Sequence, residues 1–499
     1  MTPSGIDRSA SAYRSGLSRP LEKNLRDIWI AIGACLFCVL IVFPIGGGPL
    51  AIVGVCVFLI LVLKAPLLSA LVFVGFSYFR LHEAFPVLYD LRLANFFALA
   101  TLASAAWYVS TRQIRPFWCK ELSLLVLFFV LASLGGIWAV NRPVAFDFWK
   151  DMLMKIVLMA IVISWVVRDP KHFVKVQRAL VLFGLLVACV AIYNRINGID
   201  LVEGVRVTIG REELRSQLGD PNDLALVLLF PFSFALSFVL TRKISGLDFL
   251  FGVVAGALMV VGILFTQSRG GFLGMIAVAG FFIYSRTRSK MILIAIAAFG
   301  LMVLFAMAGI SDRVSSDVVN AGAIDESALG RIHAWHLATL MMLDHPLTGV
   351  GINNFYYNYF SYATQQGYWD GKNHAVHSTW FGVLAETGIP GFVVFCTMVG
   401  LTCLSAIKSA RIILVSRKEE DERIKLGIEI TPGTRAATEG IVAGLFGVLV
   451  SGTFLTQAFS WPIYILLAVT IALARYTNRV KTEIEVRRFR LHGSGGIGR

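Results

Sequence analysis

The 499-residue sequence is poor in charge: Lys, Arg, Asp and Glu make up 15% of it, against 57% hydrophobic residues. Soluble domains carry roughly 45–50% apolar and about 25% charged residues, so a string of separate soluble domains is excluded. Cysteine is scarce too. The seven thiols, Cys35, Cys38, Cys56, Cys119, Cys189, Cys396 and Cys403, lie inside apolar runs or beside a basic loop, so no disulfides are expected. The N-terminal stretch has Arg8, Arg14, Arg19, Lys23 and Arg26 but lacks the apolar core of a cleavable leader, and it is expected to be retained. Internal repeats are not visible. The one biased stretch is the Gly-rich end HGSGGIGR, read as a loose tail.

What the sequence does have is long hydrophobic runs, with a mean hydropathy of +0.74. Runs of about 15–21 residues lie near 28–47, 49–63, 65–79, 93–110, 122–139, 152–167, 178–194, 223–241, 246–266, 271–285, 291–310, 390–407, 440–457 and 460–474. The fold class expected is all-α: a polytopic integral membrane protein of about 12–14 transmembrane helices, forming one membrane-embedded domain over 1–499 with a helical loop region outside the bilayer. The pair 49–63 and 65–79 reads either as two short spans or as one kinked or re-entrant hairpin.

The formal net charge is +14, and its distribution matters more than its size. Counting loops alternately from a cytoplasmic N-terminus gathers nearly every basic cluster in one compartment: Lys64, Arg112 to Lys120, Arg168 to Arg178, Arg242-Lys243, Arg286 to Lys290, the loop 408–437 and the tail 475–499. Basic residues collect on the cytoplasmic side, so both termini are expected inside, and the charge requires no nucleic acid partner. The opposite compartment receives loops at about 80–92, 140–151, 195–222 and 311–389, with short turns at 267–270 and 457–460. Connections longer than about 12–15 residues are commonly functional. Within the longest, ESALGRIHAWHLATLMMLDHP has the spacing of an amphipathic helix that stops at Asp344-His345-Pro346.

Five of the eight histidines (His333, His336, His345, His374 and His377) fall in that loop, four of them in two His-x-x-His pairs. Paired imidazoles one turn apart raise the question of zinc through His333, His336, His374 and His377, but such sites need four convergent ligands with supporting partners. No metal is expected. The stretch NHAVHSTWFGVLAETGIPG reads as a short helix capped by Ser378 or Thr379, running through Ala385, turned by Gly388 and restarted at Pro390 as a spanning helix. His377 then stands at a helix start, whose free N–H groups favour an anionic ligand. Arg206, Arg211 and Arg215 precede the turn Gly219-Asp220-Pro221-Asn222, and Arg269 sits between two spans in TQSRGGFLGM. Arginine holds phosphate bidentately, and histidine accepts a proton near neutrality, a combination that suits glycosyl or phosphoryl transfer.

These pieces resemble the O-antigen ligase superfamily, which includes O-antigen polymerases and related O-glycosylation ligases. REELRSQLGDPNDLA, SRGGFLG, GRIHAWHLA followed by HPLTGVGINNF, and HSTWFGVLAETGIPGF carry the likeness, over about residues 200–410. A common family form has His-Asn where this chain has His377-Ser378. The resemblance implies a glycosyltransferase of the bacterial inner membrane, acting at the periplasmic face without cofactor or metal. It would take a glycan from undecaprenyl diphosphate and give it to an acceptor hydroxyl, on lipid A-core or another acceptor. His377 would match the family's essential histidine, Arg269 the arginine of the SRG turn, and one of Arg211 or Arg215 the earlier arginine, with Arg215 favoured for its nearness to the Gly-x-Pro-Asn turn. Arg331, Asn373, His374 and Glu386 form a second tier. Glu386 lies nine residues past His377, about half a turn out of phase, and is expected to buttress the turn or face another helix. Tyr356, Tyr357, Tyr359, Tyr362 and Tyr368 suit either sugar stacking or, more ordinarily, an interfacial belt. Against the ligase stand two other readings, a polymerase joining repeat units and a transporter that binds a lipid-linked glycan without breaking it.

Overall fold

The computed structural model describes residues 64–84, 93–202, 204–210, 217–287, 326–415 and 417–493, with isolated positions between 289 and 302. The expected spans 28–47 and 49–63, most of 291–310, and the candidate residues Arg211 and Arg215 lie outside the described residues. The described chain is helical throughout apart from one two-stranded ribbon. Its elements are α1 (Pro66–Ser77), α2 (Leu81–Ala84), α3 (Leu93–Ser110), α4 (Lys120–Ile137), α5 (Arg142–Phe148), α6 (Met154–Val166) and α7 (Pro170–Asn197). There follow β1 (Leu201–Val202), β2 (Arg206–Val207), α8 (Pro221–Leu240), α9 (Gly246–Thr266), α10 (Arg269–Thr287), α11 (Glu326–Asp344) and α12 (Phe355–Gln365), and then α13 (Thr379–Ile413), α14 (Arg417–Lys425), α15 (Pro432–Gly452) and α16 (Trp461–Gly493).

Among the described residues, nine helices are long and apolar enough to cross a membrane: α3, α4, α7, α8, α9, α10, α13, α15 and α16. The chain is an all-α polytopic membrane protein. Three of these helices form the centre, since 78% of the most apolar stretch of α8, 67% of that of α15 and 72% of that of α16 are buried, against 28% for the peripheral α4. Lipid tails are as apolar as leucine, so helices in a bilayer associate by close packing and hydrogen bonds. Glycines supply that approach along α15, where a Cβ on Gly440 would meet the Phe234 ring at 2.6 Å and one on Gly444 would meet Ser233 Oγ at 2.8 Å. Ser233 Oγ also donates to the Gly440 carbonyl at 3.0 Å, locking α8 to α15.

Several elements differ from the sequence expectation. The loop 140–151 is itself helical: Asn141 caps α5 through Val144 N at 3.3 Å, and a π-turn over Trp149–Leu153 joins α5 to α6. α13 runs to Ile413, past the expected limit of 407, and α16 carries on through the supposed tail as far as Gly493. Past the expected limits the two helices stay packed together, since Ile413 and Val480 form a small apolar cluster with Ile428 and Ile430. The ribbon β1–β2 replaces what would otherwise be loop, and it is fastened to α7 by Asn194, whose amide donates to the Thr208 carbonyl at 3.1 Å.

Chain direction sets one end of the bundle apart. The starts of α8, α10, α13 and α16 and the finishes of α7, α9 and α15 all lie there, joined by the β1–β2 ribbon, the Gln267-Ser268 turn and the 453–460 turn. α11 and α12 cover this end as a separate apolar cluster built on Leu337, Met341, Phe355 and Tyr359.

Candidate functional site

His377 occupies this end. It precedes α13 with φ of +45°, a left-handed backbone that costs a non-glycine residue roughly 1–3 kcal/mol and persists where surrounding structure enforces it. The enforcement comes from α11: Trp335 Nε1 donates to the Val376 carbonyl at 3.0 Å, and the Trp335 ring stacks on Phe381 at 5.3 Å. On the other side Thr379 Oγ1 donates to the Leu455 carbonyl at 2.7 Å and accepts from Gln457 N at 3.1 Å. Among the described residues no side chain hydrogen-bonds the His377 ring. Burial holds its imidazole below the ordinary histidine value; Arg331 pushes the same way, Asp220 opposes, and His374 and Arg206 add to the lowering. Burial and the nearby positive charges of Arg331 and Arg206 thus favour the neutral, proton-accepting form of the ring.

Neither Ser378 nor Thr379 caps α13 with its side chain, contrary to the expectation from sequence. Thr379 spends its hydroxyl on the 453–460 turn, and the Ser378 hydroxyl, on a residue only 1% exposed, has no partner among the described residues. The first intrahelical bond runs from Gly382 N to the Ser378 carbonyl at 2.9 Å, which leaves the preceding N–H groups of the helix without a capping side chain.

Arg206 reaches across from the ribbon. Its Nε donates to the Thr266 carbonyl and its Nη2 to Asn222 Oδ1, both at 3.3 Å. Asn222 Oδ1 also accepts from Ser268 Oγ at 2.8 Å, and Ser268 Oγ in turn accepts from Gly271 N at 3.2 Å, capping the start of α10. Arg269 is the first residue of that helix and is half-buried. Its neighbour Gly270 packs on the Ser451 carbonyl, Phe454 and Leu455, the same turn that Thr379 grips. Arg206, Arg269 and His377 thus stand on three elements that meet at Asn222 and the 451–457 segment, and Arg331 completes the group from α11.

The second-tier residues divide. Glu386 is buried, and its carboxylate accepts from Asn353 N at 2.8 Å and Phe355 N at 3.1 Å, anchoring the start of α12. Nearby, Gly349 and Gly388, both with φ of +64°, let two backbones interlock: Val350 N donates to the Ala385 carbonyl and Ile389 N to the Pro346 carbonyl, each at 2.8 Å. A Cβ on Gly388 would meet the Pro346 carbonyl oxygen at 2.6 Å. The Gly-Ile-Pro-Gly interruption is the seat for this loop. His374 Nε2 pairs with Asp370 Oδ2 at 2.7 Å, and that imidazole holds the Asp370 carboxyl below its ordinary value. Asn373 leaves its Oδ1 buried with no partner among the described residues.

The two His-x-x-His pairs do not converge. His333 stacks flat on Tyr368 at 4.0 Å and His336 Nδ1 bonds the Tyr368 hydroxyl at 3.2 Å, so this pair clasps one tyrosine. Among the described residues no three His, Cys, Asp or Glu side chains are grouped to hold a metal ion. Asp220, Asn222 and Gln457 were not candidates from sequence. Their signal, an acid and an amide flanking Pro221 at a helix start, with a second amide far along the chain, reads as ordinary capping until the fold brings the 453–460 turn beside it.

Residues 254–396 match the family model described as O-antigen ligase. Over this stretch, under a third of its length, the chain is similar to the O-antigen ligase family. The match covers Arg269, Arg331, Asn373, His374, His377 and Glu386, and begins after Arg206. No curated protein matches the chain. The nine membrane-length helices among the described residues make it a multi-pass membrane protein, and the stretch that resembles O-antigen ligases lies within that helical bundle.

Proposed function

We propose that the chain is a glycosyltransferase that moves a glycan from undecaprenyl diphosphate to an acceptor hydroxyl, on lipid A-core or a related acceptor, at the periplasmic face of the inner membrane. The observation that carries this reading is the meeting of His377, whose ring no side chain among the described residues hydrogen-bonds and whose burial favours its neutral form, with the arginine-bearing elements of Arg206, Arg269 and Arg331 at one end of the bundle. Basic clusters such as Arg112, Arg115, Arg168 and Arg475 lie at the opposite end, which supports a cytoplasmic location for that end, and the alternation of basic loops along the sequence supports the same side for both termini.

A sugar C1 bonded to a diphosphate leaves readily once cations hold the charge that develops, the electrostatic effect that usually dominates catalysis. Arg206 and Arg269, with Arg211 and Arg215 from the same outer segment, take that role, and the uncapped start of α13 with the Ser378 hydroxyl adds neutral donors beside it. The acceptor oxygen attacks C1, its proton passes to His377, the C1–O bond to phosphate breaks, and the electron pair leaves on the diphosphate oxygen. A direct displacement inverts C1. General-base help of this kind contributes roughly 10²–10⁴-fold. The residues need no metal or nucleotide to perform these steps.

The test is to incubate the purified protein with undecaprenyl-diphosphate glycan and candidate acceptors and to follow release of undecaprenyl diphosphate. Release that depends on an acceptor, and is lost in His377→Ala, supports the ligase. Lengthening of the lipid-linked glycan without another acceptor makes it a polymerase instead, and movement of intact donor across vesicles makes it a transporter.

A further inference from the structure

Asp223 lies one residue beyond Asn222, in the first turn of α8, and its carboxylate takes a different direction from the arginine network. Its Oδ1 accepts from Gln457 Nε2 at 2.7 Å. Gln457 is 5% exposed, and Ser460 Oγ donates to its Oε1, so both ends of the amide are engaged and its orientation is fixed. The backbone N of the same Gln457 donates to Thr379 Oγ1 at 3.1 Å, two residues past His377. Thr379 returns a bond to the Leu455 carbonyl at 2.7 Å, and Trp380 Nε1 donates to Thr453 Oγ1 at 3.2 Å. Asn222 holds Arg206 and the Ser268 cap of the Arg269 helix. One turn of α8 therefore grips the arginine-bearing elements with one side chain and the His377-bearing helix with the next, through a single glutamine.

We propose that Asp223 is a positioning residue which, through Gln457 and Thr379, sets the spacing between the donor-holding arginines and His377. The proposal rests on the roles given above to those arginines and to His377. An acceptor oxygen suits the position because the buried Gln457 amide would otherwise be left without a partner, and a displacement of about 1 Å in such a constellation lowers turnover about 10²-fold.

The experiment compares Asp223→Asn, Asp223→Leu, Gln457→Leu and Thr379→Val in the full chain in detergent or nanodiscs. Asp223→Asn keeps an oxygen for the Gln457 amide and is expected within about threefold of the wild-type kcat. Asp223→Leu and Gln457→Leu are expected to lower kcat about 10–100-fold while the donor KM changes much less, and Thr379→Val to follow them. The second readout needs no turnover: spin labels at Val205 and Ala375 report the distance between the two sides, narrow in the wild type and Asp223→Asn, broadened in the leucine variants. Should the wild type transfer nothing, the proposed function falls while the label distances still judge the brace. Asp223→Asn as damaged as Asp223→Leu would overturn the proposal, because a charge or a proton would then be what matters. Leucine variants with wild-type kcat and wild-type distance distributions would overturn it as well.

Discussion

The left-handed backbone at His377 offers a test that separates folding from chemistry. A φ of +45° costs an L-residue with a Cβ roughly 1–2 kcal/mol and costs glycine almost nothing. Replacing His377 by Gly relieves that strain but frees the unfolded chain, which returns about 0.4–1 kcal/mol. Replacing it by Ala keeps the strain. Both variants lose the half-buried ring, so its burial cancels in the comparison. His377→Gly should therefore be more stable than His377→Ala by about 1 kcal/mol, with His377→Asn, whose side chain tolerates this region, between them. For a chain of this size that is about 1–2 °C in the unfolding midpoint, given that 1 kcal/mol moves a 150–250-residue domain by about 2–4 °C. Transfer activity should fall about 10²–10⁴-fold or below detection in all three. Midpoints can be read by scanning fluorimetry in one detergent and activity by release of undecaprenyl diphosphate. His377→Ala equal to or more stable than His377→Gly would remove the enforced backbone from the argument. Near-normal turnover by His377→Gly would remove the imidazole from the chemistry.

Because burial and Arg331 depress the imidazole, the acid limb of kcat/KM is expected below the ordinary histidine range; Arg331→Gln should move it to higher pH and Asp220→Asn to lower pH, as a pH–rate series would show. The same depression means that the unfolded chain binds more protons than the folded one as pH falls through the histidine range, so stability should decline there, and His377→Gln should flatten that decline in unfolding midpoints taken across it. Glu386→Ala strands two backbone donors, Asn353 N and Phe355 N, at roughly 1–3 kcal/mol each; hydrogen exchange should quicken at those amides before it quickens elsewhere in α12. Gly349→Ala places a methyl against the Ala385 carbonyl oxygen at 2.5 Å as well as in a left-handed conformation, and should leave little folded protein in the membrane fraction by in-gel fluorescence.

Hydropathy runs and turn residues carried most of the fold, because a helix in a bilayer must satisfy its own backbone and be long enough to cross. The break at Gly388-Ile389-Pro390, the stop at Asp344 and the helix start after His377 were all visible for that local reason. What local patterns could not carry was what each polar group spends its bonds on. Ser378 has the right residue type for a cap and does not cap, since the Val376 carbonyl is claimed by Trp335 and Thr379 by the 453–460 turn, which fixes the backbone first. The paired histidines at 333 and 336 have metal spacing and instead clasp Tyr368, an acquaintance 32 residues away from His336. Arg206 was readable as an outer arginine suited to phosphate, whereas its link to Asn222 and Ser268 depends on a ribbon of two residues in each strand. Asp223, Gln457 and Thr379 span 234 residues between the first two and 78 between the last two, and nothing periodic connects them. The division follows from range. Secondary structure in a membrane is decided within a turn or two of chain, whereas a catalytic arrangement is decided by which buried polar atom has no nearer partner, and that is settled only when distant helices close on each other.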